Sequence, residues 1–148
     1  MNAEEILGEK AASLFLEGYL CSESVLLTFS EYQGIKSELI PRIATAFGAG
    51  FGRKGLICGC VTAALMVIGL ERGRDTNLQD KEKAFILARK FCEKFEERFG
   101  SLFCFELTGC DLLAEKGRKE YAEKKIKEKK CVNFVKETIS LLMKLIET

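Results

Sequence analysis

A chain of 148 residues can build one hydrophobic core but not several. With 47% hydrophobic and 30% charged residues it can bury an interior and solvate an exterior, which excludes a disordered chain, and a net charge of +1 excludes a global field for nucleic acid. The absence of His and Trp removes Ser-His and Cys-His nucleophile pairs and leaves Cys, Asp and Glu as the only side chains for a metal site.

The first element is an amphipathic helix. Ile6, Leu7, Ala11, Leu14 and Phe15 recur at helical spacing, and Gly18 ends it. Glu4, Glu5 and Glu9 precede any apolar run, the reverse of a secretory leader, so the cytoplasm is the expected location. Cys21 follows, and Ser22 and Ser24 offer capping hydroxyls for a second helix carrying Val25, Leu26 and Phe29 that stops at Gly34. Ile35 to Phe47, with Pro41 near its first turn, predicts a short third helix.

Gly48 to Gly55 holds four glycines in eight residues, a tight loop or a close crossing of backbones. With Arg53, Lys54 and a helix behind it, the loop could also cradle an anion, and Gly50, Gly52, Gly55 and Gly59 are the candidate cofactor-binding positions. It lacks a Gly-Lys-Ser/Thr string and a preceding strand, so a structural turn is the stronger reading. The apolar run from Leu56 to Leu70 is interrupted by Cys, Gly and Thr and falls short of the ~20 residues a bilayer needs. It predicts a buried helix with Cys58 in its first turn, and no membrane insertion.

Glu71 to Asp80 is a polar loop. Asp80 caps a long helix through Arg98 that places Ala84, Leu87, Ala88, Phe91, Cys92 and Phe95 on one side. Ser101 caps a short helix holding Cys104, Glu106 and Leu107, ended by Gly109 with Cys110 behind it. Glu115 to Lys130 is charge-dense, a solvated helix face or linker, and Glu128 to Ile146 forms the last helix, with Cys131, Phe134, Val135, Thr138, Leu142 and Leu145 on one stripe. The expectation is an all-α, compact bundle of about five to seven helices forming a single domain over 1–148.

Seven cysteines, an odd number, suit a reducing compartment as buried thiols, metal ligands or redox thiols better than as a disulfide framework. Cys21, Cys58 and Cys104 each follow a glycine or a glycine-rich turn and fall near a helix N-terminus, where backbone N–H groups and the macrodipole favour the thiolate. Cys131 sits beside Lys129 and Lys130, whose charges act the same way. Cys60, Cys92 and Cys110 read as small buried hydrophobes. Cys58 and Cys60 are two apart, about 200° around a helix, and share a site only if Cys58 precedes the helix proper. No CxxC pair occurs.

These segments resemble the redox-active family named for its cysteine pattern, C_GCAxxG_C_C. The likeness rests on Gly18 to Leu26 with Cys21, on Gly50 through Gly59 with Cys58, on Ala64 to Leu70, on Phe99 to Leu107 with Cys104, and on Cys131 with Val135. It covers nearly the whole chain. The resemblance implies that Cys21, Cys58, Cys104 and Cys131 are the family cysteines, catalytic thiols or metal ligands. Cys60 and Ala63 stand where the motif has alanine and glycine, and Cys60 offers a second register for it.

Two function classes follow. In one, the four cysteines form a thiol/disulfide redox set or ligate zinc, iron or an iron–sulfur cluster; in the other, the chain is a non-catalytic binding or accessory module with structural cysteines. Four thiolates in a helical core need a metal, protons or disulfides to neutralise them. Within the redox class, attack by Cys58 with Cys21 or Cys104 resolving is the expected order. A redox partner or small ligand, and a homo-oligomer, fit either class.

Overall fold

Helix α1, Ala3–Glu17, starts where the Asn2 side chain accepts the Glu5 N–H at 2.9 Å, with Glu4 and Glu5 at the positive end of the dipole. Gly18 ends it in the left-handed conformation, with φ 118°. Helix α2, Cys21–Tyr32, then begins at once. Its first turn is closed by Glu23, which accepts the Leu20 N–H at 2.9 Å, and not by the serines expected to cap it. Ser22 and Ser24 are buried inside the helix and donate to the carbonyls of Ala44 and Leu20, each at 2.8 Å. The structure is a computed structural model describing residues 1–147, and Thr148, the last residue of the expected domain, lies outside them.

The helix expected over Ile35 to Phe47 is shorter than its apolar spacing suggests. Only Arg42–Phe47 is helical, as a 3-10 helix, because Pro41 has no N–H to donate and disfavours α geometry in the residue before it. The glycine run then forms its own short segment, α3, Gly48–Phe51, whose interior is left-handed. Helix α4 spans Gly59–Arg72, with Cys58 as its extended N-cap. Helix α5, Glu82–Phe99, has Asp80 oxygens accepting the N–H groups of Glu82 and Lys83. Helix α6, Cys104–Thr108, is preceded by Ser101, whose hydroxyl accepts the Phe103 N–H, and is ended by Gly109. The charge-dense stretch divides into α7, Glu115–Glu123, a reversal at Lys125 and a π turn, Lys127–Cys131, that runs into α8, Val132–Ile146.

Eight α segments are therefore present among the described residues, with no strand, against the five to seven expected. The difference arises because the glycine run and the charged stretch each form a short element of their own. None of these helices is long and apolar enough to cross a membrane.

Helix α4 is central. It packs on α2, α5 and α8, and Val61, Ala63, Ala64, Val67 and Ile68 are lost from solvent. Its small residues let neighbouring backbones approach, while α5 and α8 meet through a ladder of Phe91, Phe95, Phe99 and Phe134, with the Phe99 and Phe134 rings 4.8 Å apart edge to face. Each such ring removes enough apolar area from water to contribute about 1.5–3 kcal/mol. Helix α1 closes the bundle along α8 and α2. One contact outside the helices fixes the site: an isolated antiparallel bridge joins Ile57 to Phe103. Around it Cys58 N–H donates to the Leu102 carbonyl at 2.8 Å and Cys104 N–H to the Leu56 carbonyl at 2.7 Å. The start of α6 is thereby clamped beside the start of α4.

Candidate functional site

Three starts of helices and the end of the π turn meet around one cavity of about 320 Å³. Cys21, Cys58, Cys60, Cys104 and Cys131 all line it, so the four cysteines singled out in the sequence share a pocket, and Cys60 joins them. Cys92 and Cys110 do not line it. Cys92 is half-buried on α5, and Cys110 is buried behind α6, where its N–H donates to the Thr108 hydroxyl at 3.2 Å. All seven cysteines are free thiols.

Cys58 and Cys60 both reach the pocket because Cys58 precedes the helix proper. Its φ of −54° and ψ of 135° are extended, so the 200° divergence of two helical neighbours does not apply. The glycines serve this approach. A Cβ on Gly59 would lie 2.6 Å from the Cys21 sulfur, and one on Gly50 would lie 2.8 Å from the Cys104 Cβ. A Cβ on Gly55 would meet Phe105 at 2.9 Å, while Gly52, in the left-handed region, faces open space. None of Gly50, Gly52, Gly55 and Gly59, the positions expected to hold a cofactor, is among the residues lining the cavity.

The thiols differ in charge preference. Cys21 is held well below the usual thiol range: the side chains of Cys58 and Cys60 hydrogen-bond to its sulfur, burial opposes them, and the backbone N–H groups of Ala49 and Ser22 add two more donors. Cys58 is pushed up, first by the neighbouring Cys21 thiolate and then by burial, although Cys60 donates to it through both its side chain and its backbone. Cys60 is pushed up by Cys21 and Cys58 and by burial. Helix starts alone do not ionise Cys104, which burial pushes up to about 12, with the charges of Cys21, Cys131 and Cys110 adding to it. Burial likewise pushes Cys131 up to about 11; the Tyr121 hydroxyl, which donates to its sulfur at 3.4 Å, and the Lys130 charge oppose this without reversing it. Of the four cysteines whose settings in the sequence favour a thiolate, only Cys21 keeps it.

An all-thiol donor set has the chemistry of a soft-metal site. Among the described residues, however, no group of three or more His, Cys, Asp or Glu side chains is placed to hold a metal ion, so zinc, iron and iron–sulfur ligation enters no step below.

The model of the family described as "Putative redox-active protein (C_GCAxxG_C_C)" matches residues 19–145. The chain belongs to that family. The match takes in every cysteine around the cavity and the helices after α1, with α8 up to its penultimate residue. Set on the pattern in the C_GCAxxG_C_C name, Gly59-Cys60 carries the Gly-Cys pair, with Val61 and Ala64 where the pattern has alanine and glycine. Cys21 stands before that pair and Cys104 and Cys131 after it, which leaves Cys58 as an addition to the pattern. No curated protein and no solved structure matches the chain. Cys60 is buried, as its spacing in the sequence suggested, and it also lines the cavity, in the second register of the motif that the Gly-Cys pair offered.

Proposed function

We propose that this member of the redox-active family performs thiol–disulfide exchange, with Cys21 as the attacking thiolate. The reading rests on one observation: Cys21, Cys58 and Cys60 line one cavity, where only the missing Cβ of Gly59 lets the Cys21 sulfur approach the start of α4, and the neighbouring thiols of Cys58 and Cys60 with the Ala49 and Ser22 backbone hold the Cys21 thiol well below its usual range. The thiolate is the reactive form, and here it is formed without an imidazole.

The Cys21 thiolate attacks one sulfur of a substrate disulfide, forming a mixed disulfide and releasing the other half as a thiolate. That step removes the Cys21 thiolate as the acceptor of the Cys58 S–H, and that hydrogen bond is the largest cause holding the Cys58 thiol protonated. The Cys58 proton passes to the departing thiolate, and Cys60 donates to the new Cys58 thiolate through its side chain and its N–H. Cys58 then attacks the Cys21 sulfur, closing a Cys21–Cys58 disulfide and expelling the second half of the substrate as a thiolate that takes a proton from solvent. Two electrons have moved from the protein thiols to the substrate disulfide, and a dithiol donor returns them in reverse. Attack is thus assigned to Cys21 and resolution to Cys58, with Cys60 a positioning donor shared by both.

Peptide mapping after brief exposure to 2-hydroxyethyl disulfide tests this order. The native protein is expected to end with Cys21 joined to Cys58, and Cys58→Ala to stop with the reagent attached to Cys21. In Cys21→Ser, modification of the remaining thiols at pH 7 should slow by about tenfold or more. Unchanged modification in Cys21→Ser would overturn the assignment of the nucleophile, and closure onto Cys60 in Cys58→Ala would overturn that of the resolving thiol.

A further inference from the structure

The cavity that holds the thiols is graded from floor to mouth. Cys58, Cys60 and Cys104 are buried at its floor with the apolar side chains of Leu107 and Phe134. Arg53 and Arg118 are exposed and Lys127 is half-buried, yet all three also line it. No aspartate or glutamate lines it at all. In a chain with 23 basic and 22 acidic residues, three cations without a carboxylate around one opening are a local departure from balance.

The three cations are not equally committed. Arg118 is tied to the carbonyls of Leu112 and Leu113 at 2.8 and 2.9 Å, and Lys127 lies over the Phe15 ring at 4.9 Å. Arg53 makes no ion pair among the described residues, and it is carried on the left-handed turn beside the thiols, with φ 76°. A cation on an apolar rim attracts an anionic ligand most strongly where the walls exclude water. A cavity of this size is at the small end of organic-ligand sites.

We propose that the cavity takes a small anionic amphiphile, an apolar body lying toward the thiols and a carboxylate- or sulfonate-type head at the Arg53, Arg118 and Lys127 mouth. If Cys21 performs exchange, its low-molecular-weight substrates are disulfides of that class; this extension rests on the redox reading, whereas the binding does not.

Two dyes sharing one aromatic frame test the binding, 1-anilinonaphthalene-8-sulfonate and the uncharged N-phenyl-1-naphthylamine, titrated by fluorescence against the full chain kept reduced. The sulfonate is expected to bind about tenfold or more tighter at low salt, with the preference shrinking as salt is raised. At saturation it should slow iodoacetamide alkylation of Cys21 by at least about fivefold, which places it in this cavity. Arg53→Glu, on an exposed side chain, should cut the preference by about threefold or more. Equal affinities, a preference untouched by Arg53→Glu, or unprotected Cys21 would each overturn the proposal. Dye preference that survives alongside failed disulfide exchange would remove the redox reading alone, and the converse would remove this one alone.

Discussion

The distance from a missing Cβ to a sulfur decides how close Cys21 and the Gly59-Cys60 pair can come. At Gly59 an added methyl would sit 2.6 Å from the Cys21 sulfur, 3.1 Å from the Ser22 Cβ and 3.2 Å from the Phe47 carbonyl. None of these is the far end of a flexible side chain, so α2 and α4 would have to part. Gly59→Ala is therefore expected to lower stability by about 1–3 kcal/mol in urea titrations and to raise the pH midpoint of Cys21 alkylation toward that of an ordinary thiol. Gly69→Ala, on the same helix with nothing within 4 Å of its added carbon, should instead gain about 0.5–1 kcal/mol and leave the Cys21 midpoint in place. Equal effects at the two positions would refute the packing argument.

At the level of elements, the unusual piece is the turn that begins in α3. Ala49, Gly50, Phe51, Gly52 and Arg53 all have positive φ, between 55° and 76°. A side chain there costs about 1–2 kcal/mol per residue, and the turn is tolerated because it delivers the Ala49 N–H to Cys21 and Arg53 to the cavity mouth. Adjacent swaps should then act with opposite sign. Ala49→Gly relieves strain and should raise the urea midpoint, by up to about 1 kcal/mol in stability. Gly50→Ala would press a carbon to 2.6 Å from the Leu56 nitrogen and 2.8 Å from the Cys104 Cβ, and should destabilise by about 2 kcal/mol or more. The elements were only partly readable in the sequence. Apolar spacing, Asp80, Ser101 and the glycines at 18 and 109 marked α1, α5 and α6 well, since caps and stripes are local signals. The hand of the turn and the loss of the helix before Pro41 were not visible, because glycine-rich sequence permits many conformations and only packing against α4 and α6 selects one. Cys60, read as a small buried hydrophobe, is buried and also lines the cavity; spacing tells which face of a helix a residue occupies, but not whether Cys58 stands just outside it.

For the whole molecule, the thiols set the response to alkali. Cys58, Cys60, Cys104 and Cys131 are all pushed up, the last two to about 12 and about 11, whereas in the unfolded chain they ionise near 9. Above that pH the unfolded state holds fewer protons than the folded one on these groups, so stability falls as pH rises. Cys21 acts in the other direction, since its lowered value adds stability that is complete above about 9 and fades as pH falls. Burial and the charges of Glu96 and Glu93 push Cys92 up as well; between about pH 9 and 11 the Cys21 contribution is constant, so the raised thiols leave a net loss. The urea midpoint of reduced protein should drop over that interval, and more steeply than in a Cys104→Ala, Cys131→Ala double variant. Identical slopes would show that these thiols are not shielded in the folded chain.

The clamp between the starts of α4 and α6 holds Cys58 still while Cys21 rides on a different helix. A bond between those two sulfurs would tie the chain across the 3-10 helix and the left-handed turn, taking from the unfolded state conformational freedom worth between about 3 and 5 kcal/mol. Losing an electron pair would then also tighten the fold and regaining it slacken the fold, so heat tolerance would report how recently the protein had passed its electrons on.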